Sequence, residues 1–269
     1  MAGGDDEPQV LSGGNVNRVV RIGHTVRRVT GPWSPSVHAL LGHLNRQGFG
    51  GAPQFVATDE AGREVLTFIP GEVAGDRYPD VPFLWSDDAL TGMARLLAVY
   101  HDATLGFEAP TAAQWQLVYP DAGQHEVICH NDAALCNVVF RQGVPAALCD
   151  FDMAGPGPRW WDLAYAAYSA VPLGRFAHTP RSAMAVPYRA ERDASVRAHR
   201  IGLFFDAYGM RVPRDLQHWV AERLRVLCAT LRNRAAEGHA AFVRMVQDGH
   251  ASHYEAEAAF TEHHFQDWM

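Results

Sequence analysis

Five residues able to do chemistry lie close together in the sequence. His130 and Asp132 stand two positions apart, Asn137 follows Asp132 by five positions, and Asp150 and Asp152 come thirteen and fifteen positions after Asn137. Carboxylate and amide oxygens are ligands that suit Mg²⁺, and a positioned carboxylate can also accept a proton. Like charges gathered at one point are costly unless a cation neutralises them. The stretch therefore predicts a divalent metal site with a general base beside it.

A short β-hairpin is expected to bring these residues together. Residues 138–140 and 146–149 are apolar, strand-like runs, and the Arg-Gln-Gly segment 141–143 between them is typical of a turn. Because a hairpin places its two ends side by side, Asp132 and Asn137 should meet Asp150 and Asp152.

The spacing favours phosphoryl transfer. His-x-Asp-x-x-x-x-Asn, a hairpin and then Asp-Phe is the order found in protein kinases. There the first carboxylate orients and deprotonates a hydroxyl, while the amide and the later carboxylate hold Mg²⁺ against the phosphates of ATP. His-x-Asp alone is common by chance, and an Asp beside a strand is usually a turn or a cap, so the interpretation depends on the joint register.

The N-terminal part offers residues for a nucleotide. Gly13 and Gly14 separate two strand-like runs, where they could bring backbone N–H groups to phosphates or simply form a turn. In the next predicted strand, residues 25–29, side chains alternate in direction, so Val26 and Arg28 share a face. Arg28 stands in the usual place of a nucleotide-contacting lysine, and Arg27 remains an alternative for that role.

A helix over residues 35–47 and a second hairpin over 53–58 and 64–69 are predicted next. In protein kinases this helix carries a glutamate that pairs with the strand cation. The sequence offers only His38, which we interpret as a packing or polar contact. After the hairpin, the exposed backbone of Phe68, Ile69 and Pro70 would hydrogen-bond the base of the nucleotide.

From residue 72 onward the pattern is mainly helical and interrupted only by the catalytic hairpin. Ser86 is a good cap for a helix over residues 87–104. Helical patterns return at 192–208, at 214–237 and from 240 to the end of the sequence.

Composition excludes several classes of protein. The net charge of −7 argues against a nucleic-acid binder, and the acidic start of the chain does not resemble a signal peptide. No apolar run approaches the length of a membrane span. The four cysteines lack metal-site spacing, which favours reduced thiols and a cytoplasmic protein. All 23 basic residues are arginine, so no catalytic lysine is available.

The catalytic stretch resembles the aminoglycoside phosphotransferase and choline kinase-like family. The resemblance rests on His130-Asn131-Asp132, Asn137, Asp150-Phe151-Asp152 and the later Trp161-Asp162-Leu163-Ala164. It implies an α+β, bilobal protein-kinase-like fold. A disordered leader over 1–9 would precede a small antiparallel-sheet lobe that binds nucleotide, over 10–70, and a larger, mainly helical lobe that binds the acceptor, over 71–269.

The same resemblance implies an activity: transfer of the γ-phosphate of ATP or GTP to a hydroxyl of a small molecule, such as an aminoglycoside-like antibiotic or an amino alcohol. Asp132 would be the base, Asn137 and Asp150 would bind Mg²⁺, Asp152 would support a second metal ion, and Arg28 would contact phosphate. The missing lysine and helix glutamate depart from the family, as does Cys136, where glycine or proline is common.

Two other functions remain open at the level of the sequence. The missing lysine and glutamate would suit a kinase-like pseudoenzyme that binds a nucleotide without turnover. A metal-dependent hydrolase would use His130 with the aspartates, although such enzymes usually need several histidine ligands.

Overall fold

The computed structural model of the chain describes residues 7–11, 19–179 and 182–269. Gly13, Gly14 and residues 1–6 of the predicted leader lie outside the described residues.

An antiparallel sheet occupies the N-terminal part of the chain. Its five strands, in the order β1-β2-β3-β5-β4, are β1 (Gln9–Leu11), β2 (Val19–Ile22), β3 (Thr25–Arg28), β4 (Phe55–Thr58) and β5 (Glu64–Thr67). Helix α1 (Ser34–Arg46) connects β3 to β4. It starts next to Pro35, which suits a first helical turn. It ends before Gly48, because a helix cannot continue through a residue with a φ of 75°.

The remainder is mainly helical. Its helices are α2 (Asp87–Thr104), α3 (Arg159–Ala170), α4 (Ala190–Tyr208), α5 (Leu216–Ala236), α6 (Ala240–Gln247) and α7 (His250–His264). The predicted cap of α2 is present, since the Ser86 hydroxyl accepts a hydrogen bond from the Ala89 N–H at 3.1 Å. The apolar side of this helix is fully buried, as at Leu90 and Leu97. The sheet followed by helices confirms the predicted α+β class.

The prediction that only one hairpin interrupts the helices is wrong. Besides β7 (Val138–Arg141) and β8 (Val144–Leu148), strand β6 (Val127–Cys129) pairs with β9 (Gly155–Gly157), and β10 (Phe176–Thr179) pairs with β11 (Ser182–Pro187). Strands β6 and β9 have three residues each, too few for a readable alternation, and their pairing joins distant segments. The predicted last helix is also divided, at Gly249, whose φ is 86°.

The chain divides into two compact units. One comprises the residues up to Tyr78 together with Leu96–Arg159, and the other comprises Pro79–Arg95 and Trp160–Met269. All the described candidate site residues lie in the first unit. In the second unit, the buried Arg200 donates hydrogen bonds to the carbonyl groups of Trp85 and Ala170, each at 3.0 Å, and pairs with Asp87. The predicted lobe boundary after residue 70 stays a prediction.

None of the helices in the described ranges has both the length and the hydrophobicity that crossing a lipid bilayer requires.

Candidate active site

The predicted catalytic hairpin is formed by β7 and β8. Val138 pairs with Leu148, and just beyond this pair the Cys149 N–H donates to the Asn137 carbonyl at 2.9 Å. This bond closes the open end of the hairpin. Asn137 and Asp150, one residue beyond Cys149, are therefore held near each other, as the sequence predicted.

His130 links the two sides of this open end through hydrogen bonds. Its imidazole is fully buried, and its Nε2 lies 3.1 Å from the Cys149 carbonyl oxygen, while its Nδ1 accepts the Asp132 N–H at 3.3 Å. A carbonyl oxygen can only accept, so Nε2 carries the proton and Nδ1 does not. His130 thus holds Asp132 and the residue before Asp150, and it does not face an open site as a metal ligand would.

Asp132 and Asn137 form a direct pair. The Asn137 amide nitrogen donates to Asp132 Oδ2 at 2.7 Å and to the Asp132 carbonyl at 3.0 Å. Because both of these bonds use the –NH₂ group, the amide oxygen of Asn137 points away from Asp132. One carboxylate oxygen and one amide oxygen are thereby fixed in orientation.

Two residues of the site have left-handed backbone conformations. Asn131 has a φ of 64° and Asp150 a φ of 63°, values that are uncommon for residues other than glycine. The Asn131 side chain is buried and donates to the Met153 carbonyl at 2.9 Å. Such conformations cost energy and persist where the surrounding structure imposes them, which is a frequent property of functional segments.

Arg28 reaches the carboxylates that follow the hairpin. Its guanidinium donates to Asp150 Oδ1 at 2.9 Å and to Asp152 Oδ1, and it also donates to Glu64 Oε1 at 2.6 Å. The neighbouring Arg27 instead donates to the hydroxyl of Thr25. The structure therefore brings Arg28, and not Arg27, to the predicted metal-binding carboxylates.

The charges of this cluster do not balance. Three carboxylates, Glu64, Asp150 and Asp152, face one guanidinium, which leaves an excess of two negative charges. Burial raises the pKa of Asp152 to about 6, and the charge of Arg28 only partly opposes this shift. Burial by itself would lower the pKa of Arg28, but the charges of Asp152, Asp150 and Glu64 raise it above its usual value.

These residues fit a divalent cation. The donors are carboxylate and amide oxygens, the excess negative charge of the Arg28 cluster matches a doubly charged ion, and the Asp150 side chain is 45% exposed. No group of three or more His, Cys, Asp or Glu side chains in the described ranges could hold a metal ion alone. That is expected for Mg²⁺ in nucleotide sites, where one or two carboxylates act together with phosphate oxygens.

The predicted base-binding segment retains one donor. The Phe68 N–H is already bonded to the His24 carbonyl at 2.8 Å, and the Pro70 carbonyl accepts from Arg141 at 3.1 Å. Proline has no N–H. Within the described part of the chain, the Ile69 N–H and the Phe68 carbonyl have no hydrogen-bond partner. Together with the Ile69 carbonyl, these groups remain for a purine base, because the Phe68 N–H and the Pro70 carbonyl are used within the protein.

The remaining predicted residue, Val26, lies in β3 opposite Leu66 of β5, on the strand that carries Arg28.

Two cysteines beside the site are poor nucleophiles. All four cysteines lie in the described residues and are free thiols. Burial, with the nearby charge of Asp132, raises the pKa of Cys136 to about 12, and burial, with the charge of Asp150, does the same for Cys149. Since the thiolate is the reactive form, neither thiol would attack a substrate at neutral pH.

Glu64 is the site residue that the sequence reasoning missed. In protein kinases the partner of the strand cation is a glutamate of the helix, and helix α1 has no glutamate. The available signal was the pairing of strands, because a hairpin over 53–69 that packs beside β3 can place the first residue of β5 next to Arg28. His38 makes the predicted polar contact, and its partner is Glu64, at 2.6 Å.

Comparison with known proteins places the chain in a family. A model of the phosphotransferase enzyme family, APH, matches residues 77–192. The trifolitoxin immunity protein of Rhizobium leguminosarum bv. trifolii is 36% identical over 205 residues, which cover 74% of this chain and 73% of that protein.

Solved structures agree on the fold. Amicoumacin kinase in complex with AMP-PNP, Ca²⁺ and Ami has a TM-score of 0.62 and 12% identity, covering 90% of this chain and 88% of that one. A microcompartment-associated aminopropanol kinase has a TM-score of 0.58 and 13% identity, covering 97% and 93%. These similarities confirm the kinase-like fold.

The family model includes every residue from His130 to Asp152, and the immunity protein shares more than a third of the aligned residues. The chain belongs to the APH phosphotransferase enzyme family, the aminoglycoside phosphotransferase and choline kinase-like enzymes, and is a small-molecule phosphotransferase by class.

Proposed function

We propose that the chain transfers the γ-phosphoryl group of ATP or GTP to a hydroxyl of a small molecule in the cytoplasm, with Mg²⁺ as the metal. The observation that carries the proposal is the fixed Asp132–Asn137 pair at the open end of the catalytic hairpin, with Asp150 held one residue beyond the closing bond.

In this mechanism Asp132 orients the acceptor hydroxyl and takes its proton. One oxygen of Asp132 accepts the Asn137 amide, which fixes the carboxylate plane and directs the proton to the other oxygen. Asn137, through its amide oxygen, and Asp150 would hold the metal, with Asp152 in support. A bound Mg²⁺ neutralises phosphate charge.

The proposed nucleotide site has two parts, a backbone segment for the base and Arg28 for the phosphates. The Ile69 N–H and the Phe68 carbonyl suit the edge of a purine, and Arg28 supplies a cation for phosphate oxygens. A solved structure of the same fold, amicoumacin kinase, is a complex with AMP-PNP and Ca²⁺, which supports a nucleotide and a divalent ion here. Gly13 and Gly14 remain proposed phosphate contacts.

Replacing Asp132 by Asn tests the proposed base. The substitution keeps the shape of the side chain and an oxygen for the Asn137 amide, but it removes the basic group. We expect kcat to fall by about 10²- to 10⁴-fold with affinity for the metal-bound nucleotide retained. Product formation from ATP and GTP would be followed by mass spectrometry on a panel of aminoglycosides and amino alcohols.

The matched control is Glu108→Gln, which alters an exposed carboxylate in a loop. Unchanged turnover in Asp132→Asn would refute its role as the base. A wild type that binds nucleotide but modifies no acceptor would favour the pseudoenzyme, and metal-dependent phosphate release without an acceptor would favour a hydrolase.

A role in self-protection is favoured by the 36% identity to a trifolitoxin immunity protein. We propose that the acceptor is a toxin whose phosphorylation protects the host cell. Expression of the chain in a sensitive bacterium should raise the tolerated trifolitoxin concentration, and Asp132→Asn should abolish the gain. Protection that survives in Asp132→Asn would indicate sequestration instead, and no protection by the wild type would point to another acceptor.

A further inference from the structure

Glu64 lies directly opposite Arg28 in the sheet. The two residues are paired in the antiparallel register of β3 and β5, so their side chains project from the same face. The Glu64 side chain is only 1% exposed, and its Oε1 accepts from Arg28 Nε at 2.6 Å. A buried carboxylate requires such a partner, because leaving it unpaired would cost its full desolvation energy.

Arg28 uses a different nitrogen for each of its three carboxylates. Nε bonds to Glu64, Nη1 to Asp150 and Nη2 to Asp152. The guanidinium is planar and its donors have a fixed geometry, so a bond at Nε sets the directions of both Nη groups. A lysine ammonium also has three donors, but they lie on one rotating nitrogen and would not fix three separate directions. This accounts for arginine at a position where lysine was expected.

His38 fixes the other oxygen of Glu64. Its Nε2 lies 2.6 Å from Glu64 Oε2, and since a carboxylate only accepts, Nε2 carries the proton of this bond. The imidazole ring stacks on Phe55 with 3.7 Å between the ring centroids and 14° between the planes. With Arg28 on one oxygen and His38 on the other, Glu64 cannot rotate without breaking a bond.

We infer that Glu64 and His38 are positioning residues for Arg28. His38 fixes Glu64, Glu64 fixes the guanidinium plane, and the guanidinium sets Asp150 and Asp152 in place before a metal-bound nucleotide arrives. The inference rests on the proposed function, because the metal-bound nucleotide is the ligand for which Asp150 and Asp152 would be positioned. A strand carboxylate thus does here what a helix glutamate does in protein kinases, and the helix contributes a histidine that holds it.

The first test uses the nucleotide-free protein. In ¹⁵N NMR spectra the Arg28 Nε–H signal, assigned by its disappearance in Arg28→Lys, should exchange slowly with water. Glu64→Gln removes the charge of the acceptor, and His38→Phe keeps a ring to stack on Phe55 but removes the donor, so both should speed the exchange. His38→Gln restores a donor and should slow it again, and Arg27→Lys is the neighbouring control.

The second test measures nucleotide affinity by calorimetry with and without Mg²⁺. Glu64→Gln should weaken binding of the metal-bound nucleotide by about tenfold or more, the scale of a lost charged hydrogen bond, and weaken metal-free binding less, because Asp150 and Asp152 contribute only when the metal is bound. A general loss of structure would weaken both alike. If Glu64→Gln did not fold, as judged by circular dichroism, the comparison of His38→Phe with His38→Gln would decide.

The outcomes distinguish the inference about Arg28 from the proposed function. A fast-exchanging Nε–H in the wild type, or one unaffected by the variants, would overturn the inference, as would an unchanged affinity of Glu64→Gln for the metal-bound nucleotide. Slow exchange that is lost in Glu64→Gln and His38→Phe, with no nucleotide binding by the wild type, would support the positioning of Arg28 by Glu64 and His38. It would contradict the proposed function.

Discussion

At the scale of single residues, the site depends on how one guanidinium is divided among three carboxylates. Burial opposes the ionisation of Glu64, but the hydrogen bond from His38 and the charge of Arg28 hold the pKa of Glu64 below its usual value. Asp152 shares the same guanidinium, but there burial outweighs the interactions that lower the pKa. The two carboxylates should therefore respond to pH in opposite ways.

The raised pKa of Asp152 predicts a stability that falls as pH rises. Its pKa is about 6 in the folded protein and 3.8 in the unfolded chain, so between about pH 4 and pH 6 the folded state binds more protons. The free energy of unfolding should lose up to about 3 kcal/mol across this window. In Asp152→Asn, without nucleotide or metal, this loss should be absent when urea unfolding is measured at each pH.

The comparison is between variant and wild type at each pH, which removes the contributions of other titrating groups. Glu108→Gln, with its exposed side chain, should follow the wild type. A wild-type curve parallel to that of Asp152→Asn between pH 4 and pH 6 would show that Asp152 is ionised normally.

The sequence indicated which residues form the candidate site but not all of their partners. Strand alternation placed Val26 and Arg28 on one face, and the structure brings Arg28 rather than Arg27 to Asp150. Glu64 was missed because its contact with Arg28 spans 36 positions and depends on which strands are neighbours in the sheet. Local patterns carry no information about that order.

At the scale of elements, the segment that leaves the sheet is attached to the catalytic hairpin. Glu72 and Phe140 exchange two backbone hydrogen bonds, of 2.8 and 2.7 Å. Gly71 passes so close to the hairpin that a Cβ there would lie 2.4 Å from Val139 Cγ1 and 2.7 Å from the Phe140 carbonyl oxygen. The predicted boundary of the nucleotide-binding segment is thus also a point of close packing.

Gly71→Ala should therefore destabilise the fold and disturb the site. A Cβ at this position overlaps backbone as well as side-chain atoms, so we expect a loss of about 1–3 kcal/mol, measured by urea unfolding. Turnover should fall as well, because the hairpin that carries Asn137 must move. Gly50→Ala is the control, since a Cβ there meets nothing within 4 Å. Equal stability of the two variants would contradict the packing argument.

The elements that local signals specify were predicted well. The turn at 141–143 and the Ser86 cap are such signals, and the hairpin and helix α2 appear where they were expected. The pairing of β6 with β9 was missed because three-residue strands far apart in sequence have no local signature. Gly155 belongs to that pairing, and a Cβ there would lie 1.9 Å from the Leu117 carbonyl oxygen.

At the scale of the whole molecule, the family relationship and the charges of the site lead to the same expectation. The first compact unit holds the described candidate site residues. There, the three carboxylates that contact Arg28 exceed its charge by two. A ligand that brings Mg²⁺ into this cluster should bind the folded protein and not the unfolded chain. Its binding should then appear as added stability.

The most direct measurement is thermal unfolding with ATP or GTP, each with and without Mg²⁺, on the wild type, Asp150→Asn and Glu108→Gln. At 100 times its Kd the nucleotide should add about 2.7 kcal/mol and raise Tm by roughly 5–10 °C. We predict that this rise needs Mg²⁺, persists in Glu108→Gln and disappears in Asp150→Asn. No rise with either nucleotide, or a rise that needs neither Mg²⁺ nor Asp150, would contradict a metal-assisted phosphotransferase site at this hairpin.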